Sequence, residues 1–284
     1  MIILDLLMDS VIDNIKILPF LFLTFLLMEY LEDRMQEATR IKLKNAGKIG
    51  PLIGSIIGVV PQCGFSAAAS NLYAGRVISL GTLIAIYLST SDEMLPIMIS
   101  NAASPKLIFI VLLTKVIYGM IAGFVIDLIM RKVLKIKERE MDIHHFCEHE
   151  HCECGHGILI PAIKHTLKIF VFLLVFSFVL SLVIHYFGLE SISGSILGST
   201  IIGPIICGII GLIPNCAASV LITKLYLESA ISFGTMMGGL FVGAGVGILV
   251  LVRVNEDKKE NASIIGLLYL VGIVGGSLLN LVVG

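Results

Sequence analysis

Residues 50–82, GPLIGSIIGVVPQCGFSAAASNLYAGRVISLGT, align without gaps to residues 203–235, GPIICGIIGLIPNCAASVLITKLYLESAISFGT. Fifteen of the 33 positions are identical, among them Gly50/Gly203, Pro61/Pro214, Cys63/Cys216, Ser66/Ser219, Tyr73/Tyr226 and Gly81/Gly234. Apolar sequence matches itself easily, but Pro, Cys, Tyr and Gly do not all coincide by accident. The same offset of 153 carries on to Gly119/Gly272, Gly123/Gly276 and Asp127/Asn280. The chain is therefore read as a duplication, and its fold as two copies of one unit.

The solvent of that unit follows from composition. Charged residues make up 14% of the 284 and apolar residues 57%, against roughly 25% charged in an average soluble domain. A soluble enzyme and a disordered chain are both excluded. A nucleic-acid binder is excluded too, because no run of Lys and Arg lies on an aromatic-rich surface. What remains is an all-α polytopic membrane protein. Residues 1–16 carry Asp5, Asp9 and Asp13 against a single cation, Lys16. A secretory signal needs a positive start, so this stretch reads as an amphipathic lead-in to the first span.

A helix needs about 20 apolar residues to cross a bilayer. The segments 15–31, 77–99, 106–130, 166–187 and 263–283 qualify, and the Gly-rich 230–252 is equally apolar. Two more stretches, 47–74 and 200–227, are broken by Pro61 and Pro214 and read as pairs of short helices joined at a Pro-x-Cys turn. Most of the 20 Lys and Arg fall in the 32–48 loop, at Arg76, in the central segment and at Arg253, Lys258 and Lys259. The positive-inside rule makes these positions cytoplasmic and puts both termini outside. That holds whether each broken stretch dips in and returns or crosses twice. The expected organisation is a first transmembrane repeat over 1–131, a cytoplasmic linker over 132–165 and a second repeat over 166–284. About ten segments divide into two inverted sets of five. Inverted repeats with broken helices mark secondary transporters, with substrate held near the midplane.

The two tips read Pro61-Gln62-Cys63-Gly64-Phe65-Ser66 and Pro214-Asn215-Cys216-Ala217-Ala218-Ser219. Each offers a carboxamide, a thiol, a hydroxyl and backbone groups freed by proline. Paired thiols suit a soft metal or trivalent arsenic, and carboxamides and carbonyls suit harder ions. Cys207 reads instead as a small buried hydrophobe, because its repeat partner is Gly54. A further candidate is Ser91-Asp92-Glu93, inside the span 77–99. Intramembrane carboxylates are costly and functional by default. They would bind a cation, carry a coupling proton or do both; the alternative is a loop between two short helices, which Pro96 permits. Lys115 falls near the midplane, with Asp92 or Glu93 as its natural partner, either as a structural pair or as a switch that a cation releases. Asp127, Glu29 and His185 are expected to be wetted at span ends.

The linker holds His144, His145, Cys147, His149, His151, Cys152, Cys154 and His156. Imidazole and thiolate are the main ligands of Zn, Cu and Ni, and the spacing is too dense for a zinc finger. It reads as a metal-capturing loop, with a merely polar linker as the alternative.

The paired tips Pro61–Cys63–Gly64 and Pro214–Cys216, the run Ser91-Asp92-Glu93-Met94-Leu95-Pro96 and the His-rich linker resemble a ten-helix heavy-metal exporter family of bacteria. Its members carry arsenic-efflux or manganese-transporter labels. The chain is more distantly similar to organoarsenical permeases. Ala217 stands where the first tip has Gly64. The resemblance implies ten crossings and efflux across the bacterial or archaeal cytoplasmic membrane.

The function expected is proton-coupled export of a heavy-metal or metalloid ion. Gln62, Cys63, Ser66, Ser91, Asp92, Glu93, Asn215, Cys216 and Ser219 would form the substrate site, and Asp92, Glu93 and Lys115 would couple it. No GxxxxGK[ST] sequence is present for ATP, and no cofactor is required. The partners are the lipid bilayer and a divalent or soft metal ion, with no nucleic acid; homo-oligomerisation stays open. The rival readings are a transporter of an organic or oxyanion substrate held at the helix N-termini, a membrane enzyme on a lipid-linked substrate, and a metal sensor built on the His-rich loop.

Overall fold

The structure is a computed structural model. It describes residues 49–61, 63–91, 94–132 and 200–283, with isolated helical positions between 8 and 26 and between 159 and 178. Among these residues the regular elements are helices. They are α1 (Gly50–Gly58), α2 (Cys63–Ala74), α3 (Leu80–Ser89), α4 (Met94–Ser100) and α5 (Pro105–Lys132), then α6 (Ile202–Gly211), α7 (Cys216–Leu227), α8 (Phe233–Val242), α9 (Gly247–Val254) and α10 (Lys258–Val283).

The offset of 153 read from the sequence recurs in these boundaries. The pairs α2/α7 and α3/α8 keep it at both ends, and the other three pairs keep it to within two residues. It also recurs in local geometry. Helices α2 and α7 close with matching bonds, Val77 N–H to Leu72 O and Ala230 N–H to Leu225 O, both 2.8 Å. Each closure puts a non-glycine residue in the left-handed region, Arg76 at φ 58° and Ser229 at φ 61°. Ser79 and Ser232 then cap α3 and α8 by accepting from Thr82 N and Thr235 N, each cap worth about 1 kcal/mol.

Helix α1 lies along α3 in the same direction. A Cβ at Gly50 would meet Thr82, one at Gly54 would meet Ile86 at 2.9 Å, and one at Gly58 would meet Ser89. Only glycine permits this approach. At 9 and 12 residues, α1 and α2 rise about 14 and 18 Å, well short of a hydrocarbon core of about 30 Å. Since α2 leads back to the start of α3 through residues 75–79, α1 and α2 form a hairpin beside α3. Helices α6 and α7 repeat the arrangement against α8, with a Cβ at Gly239 meeting the Cys207 carbonyl at 2.9 Å. Cys207 is fully buried there, as its Gly54 counterpart implied.

Four stretches are long and apolar enough to cross a membrane: Leu80–Ser100, Pro105–Lys132, Phe233–Val254 and Lys258–Val282. Both the first and the third are interrupted: the first has the break between two short helices that the sequence offered as an alternative, and the third was expected to be continuous. Residues 90–93 separate α3 from α4, where Thr90 turns to ψ 124°. Residues 243–246 separate α8 from α9, with Gly245 at φ 53°. Hydropathy reports apolar length and is blind to such breaks. Helices α3 and α8 form the centre, with Leu83 to Leu88 and Met236 to Val242 almost wholly buried. Helices α5 and α10 close over them and turn Phe109, Ile121, Leu270 and Val274 outward, the faces that lipid would cover.

Asp127 is not wetted as expected. It is 9% exposed and accepts from Ser79 Oγ at 2.7 Å and Gly81 N at 2.9 Å. Its charge is spent on the N-terminus of α3, where a carboxylate is favoured. Asn280 takes the same place on α8, accepting from Ser232 Oγ at 2.6 Å. Glu29 and His185 lie outside the described residues.

Candidate functional site

Each hairpin's returning helix packs on the short helix beyond the break in the other half. Helix α2 lies against α9, and α7 lies against α4. The contact is tight at Gly247, the first residue of α9, where an added Cβ would sit 2.8 Å from Ser66 Cβ. Ser66, a residue expected in the site, is therefore buried at the seam between the halves. Its carbonyl accepts from Ser70 Oγ at 2.8 Å, and Ser70 Oγ also lies 2.7 Å from both Gly247 O and Tyr87 Oη. Tyr87 Oη is 3.2 Å from the same Gly247 carbonyl. Three helices thus share one dry network of hydroxyls and carbonyls.

Ser91, at the break between α3 and α4, is 2% exposed and donates its hydroxyl to the Val59 carbonyl at the first tip. This joins two of the expected features, the first tip and the interrupted span. Ser89 and Thr90 bond back into their own helix, to Ala85 O and Ile86 O. At the second tip, Asn215 N–H bonds to Ile213 O at 2.7 Å and the Asn215 carbonyl opens α7 by accepting from Ala218 N at 3.3 Å. Ser219 accepts at its carbonyl from Thr223 Oγ1 at 2.7 Å, the counterpart of the Ser70 bond.

Lys115 is fully buried. Its ammonium donates to the Leu240 carbonyl at 2.6 Å and lies 5.7 Å from the Phe241 ring centroid. An ammonium in an apolar interior is held by such carbonyl and ring contacts. Both come from α8, so the lysine of one half is anchored beside the break of the other. The expected pairing with Asp92 or Glu93 falls on residues outside those described. Gln62, His144, His145, Cys147, His149, His151, Cys152, Cys154 and His156 are outside them as well, and Cys63 and Cys216 are described by backbone alone.

Two features escaped the sequence reading. Asn71 on α2 is fully buried, and neither its amide nitrogen nor its amide oxygen has a hydrogen-bond partner among the described residues. At the end of α2, Arg76 makes a bidentate pair with Glu260 of α10, at 2.9 and 3.0 Å. Tyr73 Oη donates to the same carboxylate at 2.7 Å. These carboxylate bonds hold the Arg76 guanidinium even further above its ordinary range. The available signal was a mismatch within the duplication: Tyr73 is kept as Tyr226, whereas Arg76 becomes Ser229.

A family model described as "Putative, 10TM heavy-metal exporter" matches residues 2–192. No curated protein and no solved structure matches the chain. Apolar helices of crossing length, two pairs of short apolar helices and a match over well more than half of the sequence agree with one another. This multi-pass membrane protein belongs to the 10TM heavy-metal exporter family.

Proposed function

We propose that the protein is a secondary transporter that exports a heavy-metal or metalloid ion across a cytoplasmic membrane, driven by protons. The observation that carries this reading is the cross-packing of hairpins and breaks: α2 on α9, α7 on α4, and Ser91 bonded to the first tip. It brings Ser66, Ser91 and helices from both halves to one seam, and secondary transporters of this kind hold substrate between their repeats near mid-depth.

The inverted arrangement is supported by end-to-end contacts. Ser79 ties the start of α3 to Asp127 near the end of α5. Arg76, three residues earlier, ties that same end to Glu260 at the start of α10. Helices α5 and α10 occupy equivalent places in the two halves and run in opposite directions. In this reading ten membrane-embedded segments comprise six that cross and four that form the two hairpins. The loops rich in Lys and Arg face the cytoplasm, both termini lie outside, and the His/Cys linker captures metal on the cytoplasmic side.

Cys63 and Cys216 are the proposed ligands of a soft ion, with Gln62, Ser66, Ser91, Asn215 and Ser219 around them. Asp92 and Glu93 are the proposed proton carriers, with Lys115 setting the charge of the site. The test is flux of Mn²⁺, Zn²⁺ and arsenite into liposomes, for the parent protein, a Cys63→Ser/Cys216→Ser variant and an Asp92→Asn/Glu93→Gln variant. Flux of a soft species lost with the thiols, and uncoupled from protons with the carboxylates, is expected. Unaltered flux in both variants would overturn the assignment. Transport of an oxyanion but of no cation would favour binding at the helix N-termini that open at Cys63 and Cys216.

A further inference from the structure

The bonds that join the two halves are distributed unequally. At one end of the molecule, Tyr73 and Arg76 of the first half converge on Glu260 of the second. Asn255 Nδ2 approaches the other carboxylate oxygen at 3.4 Å and bonds Asn261 Oδ1 at 2.7 Å. Arg76 and Glu260 are 17% and 22% exposed, so the pair lies at the rim and is partly shielded from water. A bidentate guanidinium–carboxylate contact of this kind is both strong and directional.

The counterpart positions at the opposite end carry none of this chemistry. An offset of 153 relates Arg76 to Ser229, Glu260 to Leu107 and Asn255 to Ala102. Tyr226, the counterpart of Tyr73, packs edge-on to Phe233 at 6.0 Å. Deeper in, Tyr87 has Leu240 as its counterpart, and Thr223 bonds back to its own helix where Ser70 reaches the other half. Among the described residues, the Arg76 end therefore carries a charged cluster joining the halves that the repeat does not reproduce at the other end.

We propose that Tyr73, Arg76, Asn255 and Glu260 form the gate that shuts the Arg76 end of the transport path, the end that the loop charges make cytoplasmic. The inference rests on the transport reading. Opening toward that end requires α2 to leave α9 and α10, so Arg76 and Glu260 must part. Among the described residues, no ion pair joins the halves at the opposite end. Tyr73 and Asn255 hold the carboxylate in place for Arg76, which reaches it from a left-handed backbone turn. The gate thus biases the resting protein toward closure on the Arg76 side.

The test reads access directly. In the full chain with its six cysteines replaced, Ser66→Cys places a thiol at the buried α2–α9 seam. Its modification by a charged, membrane-impermeant methanethiosulfonate is timed from each side of sealed vesicles. Glu260→Ala should raise the rate from the Arg76 side about tenfold, the scale of a lost partly buried charge pair acting on a two-state equilibrium. The rate from the other side should not rise. Reversing the pair, Arg76→Glu with Glu260→Arg, should bring the rate back most of the way. Glu260→Gln, which keeps the shape and an acceptor for Tyr73, should act in the same direction if the alanine variant does not fold. An unchanged rate in a folded Glu260 variant, or an equal rise from both sides, overturns the gate. Labelling needs no knowledge of the ion carried. A parent protein, cysteines intact, that moves no ion defeats the transport reading, whereas unaltered labelling of folded Glu260 variants alongside active transport by the parent defeats the gate alone.

Discussion

Tyr118 of α5 donates its hydroxyl to the Val271 carbonyl of α10 at 2.6 Å, and the two residues are 153 positions apart. Each is the other's counterpart in the duplication. Equivalent positions meet where an axis relating two copies passes between them, so this bond lies at the centre of the proposed inversion. The Tyr118 ring also stacks on Phe241 at 4.5 Å between centroids. Tyr118→Phe keeps the stack and drops the bond, and should cost about 1 kcal/mol, the usual net worth of such a bond inside a membrane protein. Gly275→Ala should cost more, because its Cβ would lie 2.5 Å from Tyr118 Cζ. Combining Gly275→Ala with Tyr118→Ala should cost less than the two singles added, since truncating the tyrosine removes the ring that the new methyl would strike. Thermal unfolding in detergent measures all four proteins, and strict additivity would contradict the contact.

Glycine positions separate into two kinds. A Cβ at Gly81 would strike the Gly123 carbonyl, and one at Gly234 would strike the Gly276 carbonyl. Backbone atoms of a packed helix do not move aside, so Gly81→Ala and Gly234→Ala should each destabilise strongly, by about 1–3 kcal/mol or more. Gly266 on α10 is exposed and has no described residue within 4 Å of an added Cβ. There Gly266→Ala should stabilise, by up to about 1 kcal/mol from helix propensity. Melting temperatures of the three variants test this, and a harmless Gly81→Ala would refute the close helix contact.

Asp127 and Asn280 perform one task with different charge. Both accept from the serine that caps the adjacent helix. Asn280 also donates, from Nδ2 to Thr200 O at 3.0 Å. Asp127→Asn should therefore be tolerated, with a loss under about 1.5 kcal/mol, because the second half already folds with an amide in that role. Asp127→Ala, which strands Ser79 Oγ and Gly81 N–H, should cost clearly more. Urea or thermal titration of the pair decides it, and equal losses would mean that Asp127 acts through its charge alone.

The legible part of this fold was the part written in residue identity. Pro61 and Pro214 announced breaks because proline lacks an N–H, and both fall in the turns between short helices. The duplication supplied helix boundaries that recur 153 residues on. The interruption after Thr90 was legible only as an alternative, through its polar residues and Pro96, and the one at 243–246 was hidden, because Gly243 and Gly245 sit in apolar sequence that a hydropathy window reads as continuous. The sense of Asp127 was also hidden. Its partner Ser79 is 48 residues away, and nothing in local pattern separates a wetted carboxylate from a helix cap. Of the site, Ser66, Ser91 and Lys115 were singled out from the sequence and are buried between helices. Asn71 was passed over, since one amide in a helix is unremarkable until its surroundings are known.

Asn71 carries the last prediction. Its carboxamide is fully buried on α2 with neither atom paired among the described residues, an arrangement that costs about 1–3 kcal/mol. The counterpart position on α7 is Lys224, which is exposed, so the repeated scaffold does not itself demand a buried amide there. Asn71 follows Ser70, which bonds the Gly247 carbonyl across the seam. Natural proteins keep such unpaired groups where function uses them. Asn71→Leu, close in volume and without polar atoms, should therefore raise the melting temperature in detergent while lowering ion flux in liposomes. A gain in stability with unaltered flux would make Asn71 a spectator. A loss of stability would mean that the amide is paired in the folded protein.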